Sequence, residues 1–168
     1  FHGLTLGTLS INAGAPFRQG FEPLMPGFDM VAMNDLAALE GELRKGDVAS
    51  FIVEPIQGKG VYIPADDYLP EAQRLCRKYG TVFVCDEVQA GMGRTGRFLS
   101  CEHWGLEPDI VTLSKALSGG YVPVSVSIMR RSIHDKVFGR LDRCQVHSTT
   151  FGQNDMAMAA GLATLHVM

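Results

Sequence analysis

The sequence predicts an α/β fold: a mostly parallel sheet with one antiparallel strand and helices on both faces. Two continuous apolar runs, Thr81 to Cys85 and Ile110 to Leu113, have the β-branched and aromatic composition of strands buried on both faces. Another short apolar run covers Ser50 to Val53. Segments with helical spacing separate these runs, and this alternation is typical of a parallel sheet.

The direction of the last strand follows from the length of its link. From Lys115 to Val122 there is too little chain for a parallel crossover, which takes a dozen residues or more. We therefore expect a strand over Val122 to Ile128 that runs antiparallel to its predecessor.

Two helices between the strands are predicted with their boundaries. Tyr68 to Tyr79 has apolar residues at helical spacing, and Asp66-Asp67 supplies cap candidates just before it. Asn34 to Arg44 is the other, with Asn34 as its cap and Gly46 as its stop.

Three further segments receive coarser predictions. Asn154 to Met168 is rich in Ala, Met and Leu and is predicted to be a packed helix. Gly14 to Phe28, dominated by Gly, Pro and Phe, is predicted to be an ordered loop. Arg130 to Arg143 is expected to be a charged, solvated stretch.

Composition restricts the function classes. The 168 residues are 46% hydrophobic and 20% charged, with a net charge of −3, so nucleic-acid or membrane binding is not indicated. No apolar stretch approaches the ~20 residues of a membrane span, and no secretion signal is visible. The four cysteines lack metal or disulfide spacing, which predicts reduced thiols and a cytoplasmic location.

Lys115 is the most informative residue. Of five lysines, it alone leaves an apolar strand and enters a turn of small residues, Ser118-Gly119-Gly120. We expect burial there to favour its neutral, nucleophilic amine. Asp86 ends the preceding apolar run, and in an open α/β sheet ligands bind at the carboxyl ends of the strands. An amine that captures a carbonyl and a carboxylate that pairs with a pyridine nitrogen together suggest a site for pyridoxal phosphate.

The residues after Asp86 extend this interpretation. Val88 could pack on a ring face, and Gln89 could bond a ring hydroxyl. Glu87 is also compatible with a structural role, either capping the next helix or pairing with Arg94 or Arg97. The segment 91–96 matches the GxGxxG dinucleotide motif literally. However, it does not open directly into a helix, so a nicotinamide site is not favoured.

Five segments, in order and at the same spacing, resemble the class III aminotransferases of fold type I. They are Val53-Glu54-Pro55-Ile56-Gln57-Gly58, Asp86 to Gly96, Pro108-Asp109-Ile110-Val111, Ser114 to Gly120, and His147-Ser148-Thr149-Thr150-Phe151-Gly152. The resemblance covers residues 1–168 and implies the large, cofactor-binding domain of that fold. It also implies pyridoxal 5'-phosphate as cofactor and a homodimer whose active site is shared across the interface.

The resemblance implies roles for individual residues. Lys115 matches the Schiff-base lysine and Asp86 the acid on the pyridine nitrogen. Gln89 matches the glutamine at the ring hydroxyl, and Val88 the residue on one ring face. Phe1 and His2 match the aromatic-His-Gly segment, whose aromatic ring covers the other face. Glu54 matches a residue of the site wall, and Thr150 the threonine that binds the cofactor phosphate across the dimer interface. No metal site is predicted.

The chain also departs from the family pattern. The glycine-rich phosphate loop would lie before Phe1 and the substrate-carboxylate arginine beyond Met168, so we expect residues 1–168 to be the central part of a longer protein. Lys59 stands where the ornithine and 4-aminobutyrate enzymes carry a glutamate that pairs with that arginine. This argues against those two specificities and leaves diamines, acetylornithine-like donors and other ω-amines open.

The resulting hypothesis is transfer of an amino group from an ω-amine or amino acid to a 2-oxo acid. Two alternatives remain open at this stage. One is an aminomutase of the glutamate-1-semialdehyde type, which uses the same lysine on a single substrate. The other is a non-catalytic piece that only packs or dimerises.

Overall fold

The computed structural model describes residues 2–12 and 14–168, and its centre is a sheet of four strands. The strands are β1 (Ser50–Val53), β2 (Val82–Asp86), β3 (Ile110–Leu113) and β4 (Val126–Met129), and they lie side by side in that order. The pairs β1–β2 and β2–β3 are parallel, and β3–β4 is antiparallel. The predicted fold class, including the reversed last strand, is confirmed.

Helices flank this sheet. They are α1 (Leu6–Ser10), α2 (Ala15–Arg18), α3 (Leu36–Leu43), α4 (Tyr68–Tyr79), α5 (Arg131–Phe138) and α6 (Asp155–Val167), with 3₁₀ helices at Ser100–Trp104 and Lys115–Ser118. Among the described residues, no helix combines the length and apolar character needed to cross a membrane.

The core lies where α4 packs against β2. Leu69, Ala72 and Cys76 of α4 are fully buried, and Phe83 and Cys85 of β2 are almost completely buried opposite them. The helix ends at Gly80, whose φ of 73° places it in the left-handed region that glycine adopts without steric cost. The predicted boundaries of this helix are confirmed, but Asp67 makes no side-chain capping hydrogen bond.

The predicted cap of α3 is wrong by one residue. Asp35, not Asn34, caps the helix, because its carboxylate accepts the Ala38 N–H at 2.8 Å. Asn34 instead has a φ of 68°, and its side-chain oxygen accepts the Ala65 N–H at 2.9 Å. Both residue types cap helices well, and a contact 31 residues away decided between them.

Strand β4 begins at Val126 rather than at Val122. The link from Lys115 is therefore longer than expected, although the antiparallel direction is correct. A hydrogen bond joins the two ends of this link, because the Ser114 hydroxyl donates to the Val124 carbonyl at 2.9 Å. Leu113 and Val126 then face each other as the first residue pair of the antiparallel ladder.

Two coarser predictions need correction. The loop predicted over Gly14 to Phe28 contains α2. The stretch Arg130 to Arg143 is solvated as expected, and it contains α5, which has no buried residue. The last helix exists, but it is not packed on all sides. Only Ala157 and Gly161 are buried, while Met156 and Leu162 are 71% and 57% exposed. Its small-residue face contacts the 3₁₀ turn after Lys115, where a Cβ on Gly161 would lie 3.8 Å from the Leu117 carbonyl oxygen.

Candidate active site

The candidate site lies at the carboxyl ends of β2 and β3. Asp86 is the last residue of β2, and its register partner on β3 is Thr112. Lys115 follows β3 after Ser114 alone and opens a 3₁₀ turn. Since neighbouring parallel strands end at the same edge of a sheet, the carboxylate and the amine emerge side by side.

Asp86 is held by several hydrogen bonds in a buried position, with its residue 9% exposed. Its Oδ1 accepts the Val88 N–H at 3.0 Å and the Thr112 hydroxyl at 3.3 Å. Its Oδ2 lies 2.7 Å from Nδ1 of His2. A buried carboxylate with several donors is fixed in place and remains an acceptor for a further cation.

His2 connects Asp86 with Lys115. Its Nδ1 contacts Asp86, and its Nε2 lies 3.1 Å from the Lys115 Nζ. Because a carboxylate can only accept, the proton of a neutral imidazole belongs on Nδ1, which leaves Nε2 to accept from the ammonium. One aromatic ring thus spans the distance between the acid and the amine.

Lys115 has an unusual backbone conformation. Its φ is 46°, in the left-handed region that β-carbon sterics disfavour. Such strain is characteristic of functional sites when the surrounding structure imposes it. The expectation that the Lys115 side chain is buried is wrong for this chain, because the residue is exposed. The turn that carries it lies at the sheet edge, and α6 covers only part of that turn.

Gln89 reaches the same amine from the other side. Its Oε1 accepts a hydrogen bond from the Lys115 ammonium. The aliphatic part of Gln89 lies against Gly58, in the loop after β1. Glu54 begins that loop, and its Oε2 accepts the Gly58 N–H at 2.9 Å. Glu54 therefore supports the loop beneath Gln89.

The remaining predicted site residues are less closely connected to this group. Val88 is partly buried and contributes its backbone N–H to Asp86. Thr150 lies in a turn within an exposed segment, and none of the hydrogen bonds among the described residues joins it to Lys115 or Asp86. Phe1 lies outside the described residues, so its predicted ring-stacking role stays a prediction.

Glu87 has the structural role that the sequence left open. Its side chain is fully buried, and it accepts hydrogen bonds from the backbone N–H groups of Ser100 and Cys101, at 3.0 and 2.7 Å. The Ser100 hydroxyl adds a third at 2.6 Å. The carboxylate thus satisfies the first N–H groups of the 3₁₀ helix Ser100–Trp104.

Sequence reasoning does not identify two of the residues that shape this site. Thr112 carries only the signal of a strand residue, although its position opposite the end of β2 places its hydroxyl near Asp86. Gly58 belongs to one of the five segments that resemble the family, but the resemblance implies no role for it. No local signal in the sequence pairs it with Gln89, since the two residues lie on different loops.

Comparisons with known proteins identify the family. The model of the aminotransferase class-III family matches residues 1–168. A putrescine aminotransferase from Pectobacterium atrosepticum is 44% identical over 172 aligned positions, covering 99% of this chain and 36% of that protein.

Solved structures agree with this result. The ornithine aminotransferase from Toxoplasma gondii is 37% identical with a TM-score of 0.91, covering 98% of this chain and 38% of that one. An (S)-enantioselective omega-transaminase from Thermomicrobium roseum is 32% identical with a TM-score of 0.89, covering 99% of this chain and 42% of that one. The chain thus spans less than half the length of these relatives. By sequence and by fold, it belongs to the class III aminotransferases.

Proposed function

We propose that the full-length protein is a pyridoxal-phosphate-dependent aminotransferase that moves an amino group from an ω-amine or amino acid to a 2-oxo acid. One observation carries the proposal. The Asp86 carboxylate and the Lys115 amine contact the two different nitrogens of the His2 imidazole, so they lie within reach of a single small aromatic ring.

The chemistry of these residues fits the cofactor. When bound, pyridoxal phosphate supplies an aldehyde and an electron-accepting ring. Lys115 would hold the aldehyde carbon, Asp86 the protonated ring nitrogen, and Gln89 the ring hydroxyl. Val88 and Phe1 are proposed to cover the two ring faces, and Thr150 to bind the phosphate from the partner subunit.

The residues of the site then have separate roles. The Lys115 amine would also act as the general base and acid that moves the proton during transfer of the amino group. The Asp86 carboxylate would accept a hydrogen bond from the protonated ring nitrogen. His2 orients Asp86 through the 2.7 Å contact, and Gln89 orients Lys115.

Two observations bear on the amino donor. The 44% identical relative is a putrescine aminotransferase, which supports a diamine or related ω-amine. Lys59 places a cation, 4.2 Å from the centre of the Phe17 ring, where the ornithine and 4-aminobutyrate enzymes carry a glutamate. This argues against those two donors and leaves other ω-amines open. We further propose a homodimer located in the cytoplasm.

Lys115→Ala in the full-length protein tests the proposal. We expect it to abolish both turnover and the absorbance band of the lysine-linked cofactor, while Asp86→Ala keeps some cofactor but loses most of the rate. The measurements are absorbance spectra and donor-dependent formation of an amino acid from a 2-oxo acid. Lys136→Ala, at an exposed lysine of α5, is the matched control.

Three outcomes contradict this assignment in different ways. An active Lys115→Ala enzyme would exclude the proposed chemistry altogether. Turnover of an amino substrate with no requirement for a separate 2-oxo acid would indicate an aminomutase. A full-length protein whose spectrum does not change on adding pyridoxal phosphate would indicate a non-catalytic role.

A further inference from the structure

Gly58 lies against a site residue so closely that it has no room for a side chain. A Cβ built on Gly58 would lie 2.0 Å from Cγ of Gln89, 2.7 Å from its Cβ and 2.9 Å from its Cδ. Contacts this short essentially never occur between carbon atoms that are not bonded to each other. One of them involves the Gln89 Cβ, which cannot rotate away, so either the Gln89 backbone or the loop of Gly58 would have to move.

Backbone conformation does not explain this glycine. The positive-φ glycines of the chain include its neighbour Gly60, at 91°, but not Gly58. Without a positive φ to require glycine, the reason for a glycine at position 58 lies in its packing.

Two hydrogen bonds fix the position of Gly58. Its N–H donates to the Glu54 carboxylate at 2.9 Å, which closes the start of the loop. The preceding residue, Gln57, donates its N–H to the Tyr62 carbonyl at 3.0 Å in an isolated antiparallel bridge. The loop therefore cannot retreat from Gln89 without breaking these contacts.

Gln89 carries the effect to the reacting amine. Its Oε1 accepts from the Lys115 ammonium, and the same ammonium contacts His2. We propose that Gly58 is a positioning residue. Because it has no side chain, the Glu54–Gly58 loop lies close to Gln89 and sets the position of the Gln89 amide, and that amide in turn orients the Lys115 amine. The proposal rests on the function proposed above.

The test is a double-mutant cycle in the full-length holoenzyme. We expect Gly58→Ala to lower kcat about tenfold to a hundredfold, since a displacement of about 1 Å at a catalytic group costs that much. We also expect the pH midpoint of the lysine-linked cofactor band to shift as it does in Gln89→Gly. In the Gln89→Gly background, which removes all three clashing atoms, Gly58→Ala is expected to change neither quantity.

The control is Gly41→Ala, at a helical position where a Cβ meets nothing within 4 Å. It should leave kcat and the pH midpoint unchanged. A Gly58→Ala enzyme with a kcat within twofold of the parent and an unshifted midpoint would overturn the proposal. The proposal also fails if Gly58→Ala costs as much in the Gln89→Gly background as in the parent.

Thermal unfolding separates this proposal from the proposed function. Gly58→Ala is expected to lower Tm in the parent and not in the Gln89→Gly background, whether or not the protein transaminates. If the parent shows no aminotransferase activity but the Tm cycle is non-additive, the packing inference stands and the function fails. An additive Tm cycle overturns the inference, including when Gly58→Ala alone folds too poorly for kinetics.

Discussion

At the scale of single residues, the site depends on side chains that are held from several directions. Asp86 is bound by His2, Thr112 and the Val88 N–H, and Lys115 by His2 and Gln89. Preorganised groups of this kind avoid the free-energy cost of reorientation during reaction. The left-handed backbone of Lys115 indicates that some stability is sacrificed for this arrangement.

Backbone strain at Lys115 leads to a prediction about stability. In the apo protein, Lys115→Gly should have a higher free energy of unfolding than Lys115→Ala, by roughly 1 kcal/mol, because only glycine adopts a φ of 46° without a steric penalty. Both variants lose the same side-chain hydrogen bonds, so the difference isolates the backbone. Urea unfolding followed by circular dichroism measures it.

The matched pair is Lys78→Gly and Lys78→Ala, at an exposed position in the last turn of α4. There the order should reverse, because glycine in a helix is about 1 kcal/mol less favourable than alanine. Equal stabilities for the two Lys115 variants would show that the strain is absent.

At the scale of elements, hydrogen bonds to the Glu40 carboxylate join α3 to α4. The Glu40 carboxylate accepts from the Lys78 ammonium and the Tyr79 hydroxyl, both at 2.8 Å. These hydrogen bonds lower the pKa of Glu40 from its ordinary 4.5 to about 2. Since α4 packs directly on β2, the attachment of α3 completes the core behind the site.

This contact predicts a pH-dependent contribution to stability. A carboxylate whose pKa is lower in the folded state stabilises the fold at pH values above its unfolded pKa. The contribution of Glu40 should therefore be complete above about pH 4.5 and be lost as the pH falls through about 2. We expect Glu40→Gln to lower the urea midpoint at pH 6, and the gap to the parent to shrink between pH 4.5 and 2.

The control for this experiment is Glu42→Gln, which removes a carboxylate from the same helix but one that pairs with the nearby Lys45. A gap between Glu40→Gln and the parent that stays constant from pH 6 to pH 2 would contradict the assigned role of Glu40.

At the scale of the whole molecule, the chain exposes large apolar side chains near its far end. Leu141 is 94% exposed. Phe151, which directly follows Thr150, is 84% exposed. Apolar exposure of this extent is typical of surfaces that another part of a protein covers. It supports the proposed homodimer, in which this segment contacts the partner subunit.

Hybrid dimers test whether Thr150 acts across the interface. Full-length Lys115→Ala and Thr150→Ala subunits, carrying different tags, are co-expressed and the mixed dimer is purified. If Thr150 serves the partner's site, one of the two sites in the hybrid is intact, and about half of the parental activity should remain. If Thr150 acts within its own subunit, no site is intact, and the hybrid should show no more than half the activity of the Thr150→Ala dimer.

Local patterns in the sequence were sufficient for β1, β2 and β3, for α4 and for the placement of Lys115 and Asp86 at one edge of the sheet. Each of these follows from the period of apolar residues or from the point where an apolar run stops. The short helices α1 and α2 were missed, because isolated helices of four or five residues have little intrinsic stability and form only where the surrounding structure holds them.

The sequence by itself determined where the strands lie along the chain, the reversed direction of β4 and the residue types at the carboxyl edge, because apolar periodicity and the length of a link are local properties of the chain. Only the tertiary structure decided that His2 joins Asp86 to Lys115, across separations of 84 and 113 residues. It also decided that Gly58 supports Gln89. Contacts between distant segments depend on how the elements pack together, and no local period of the sequence records that packing.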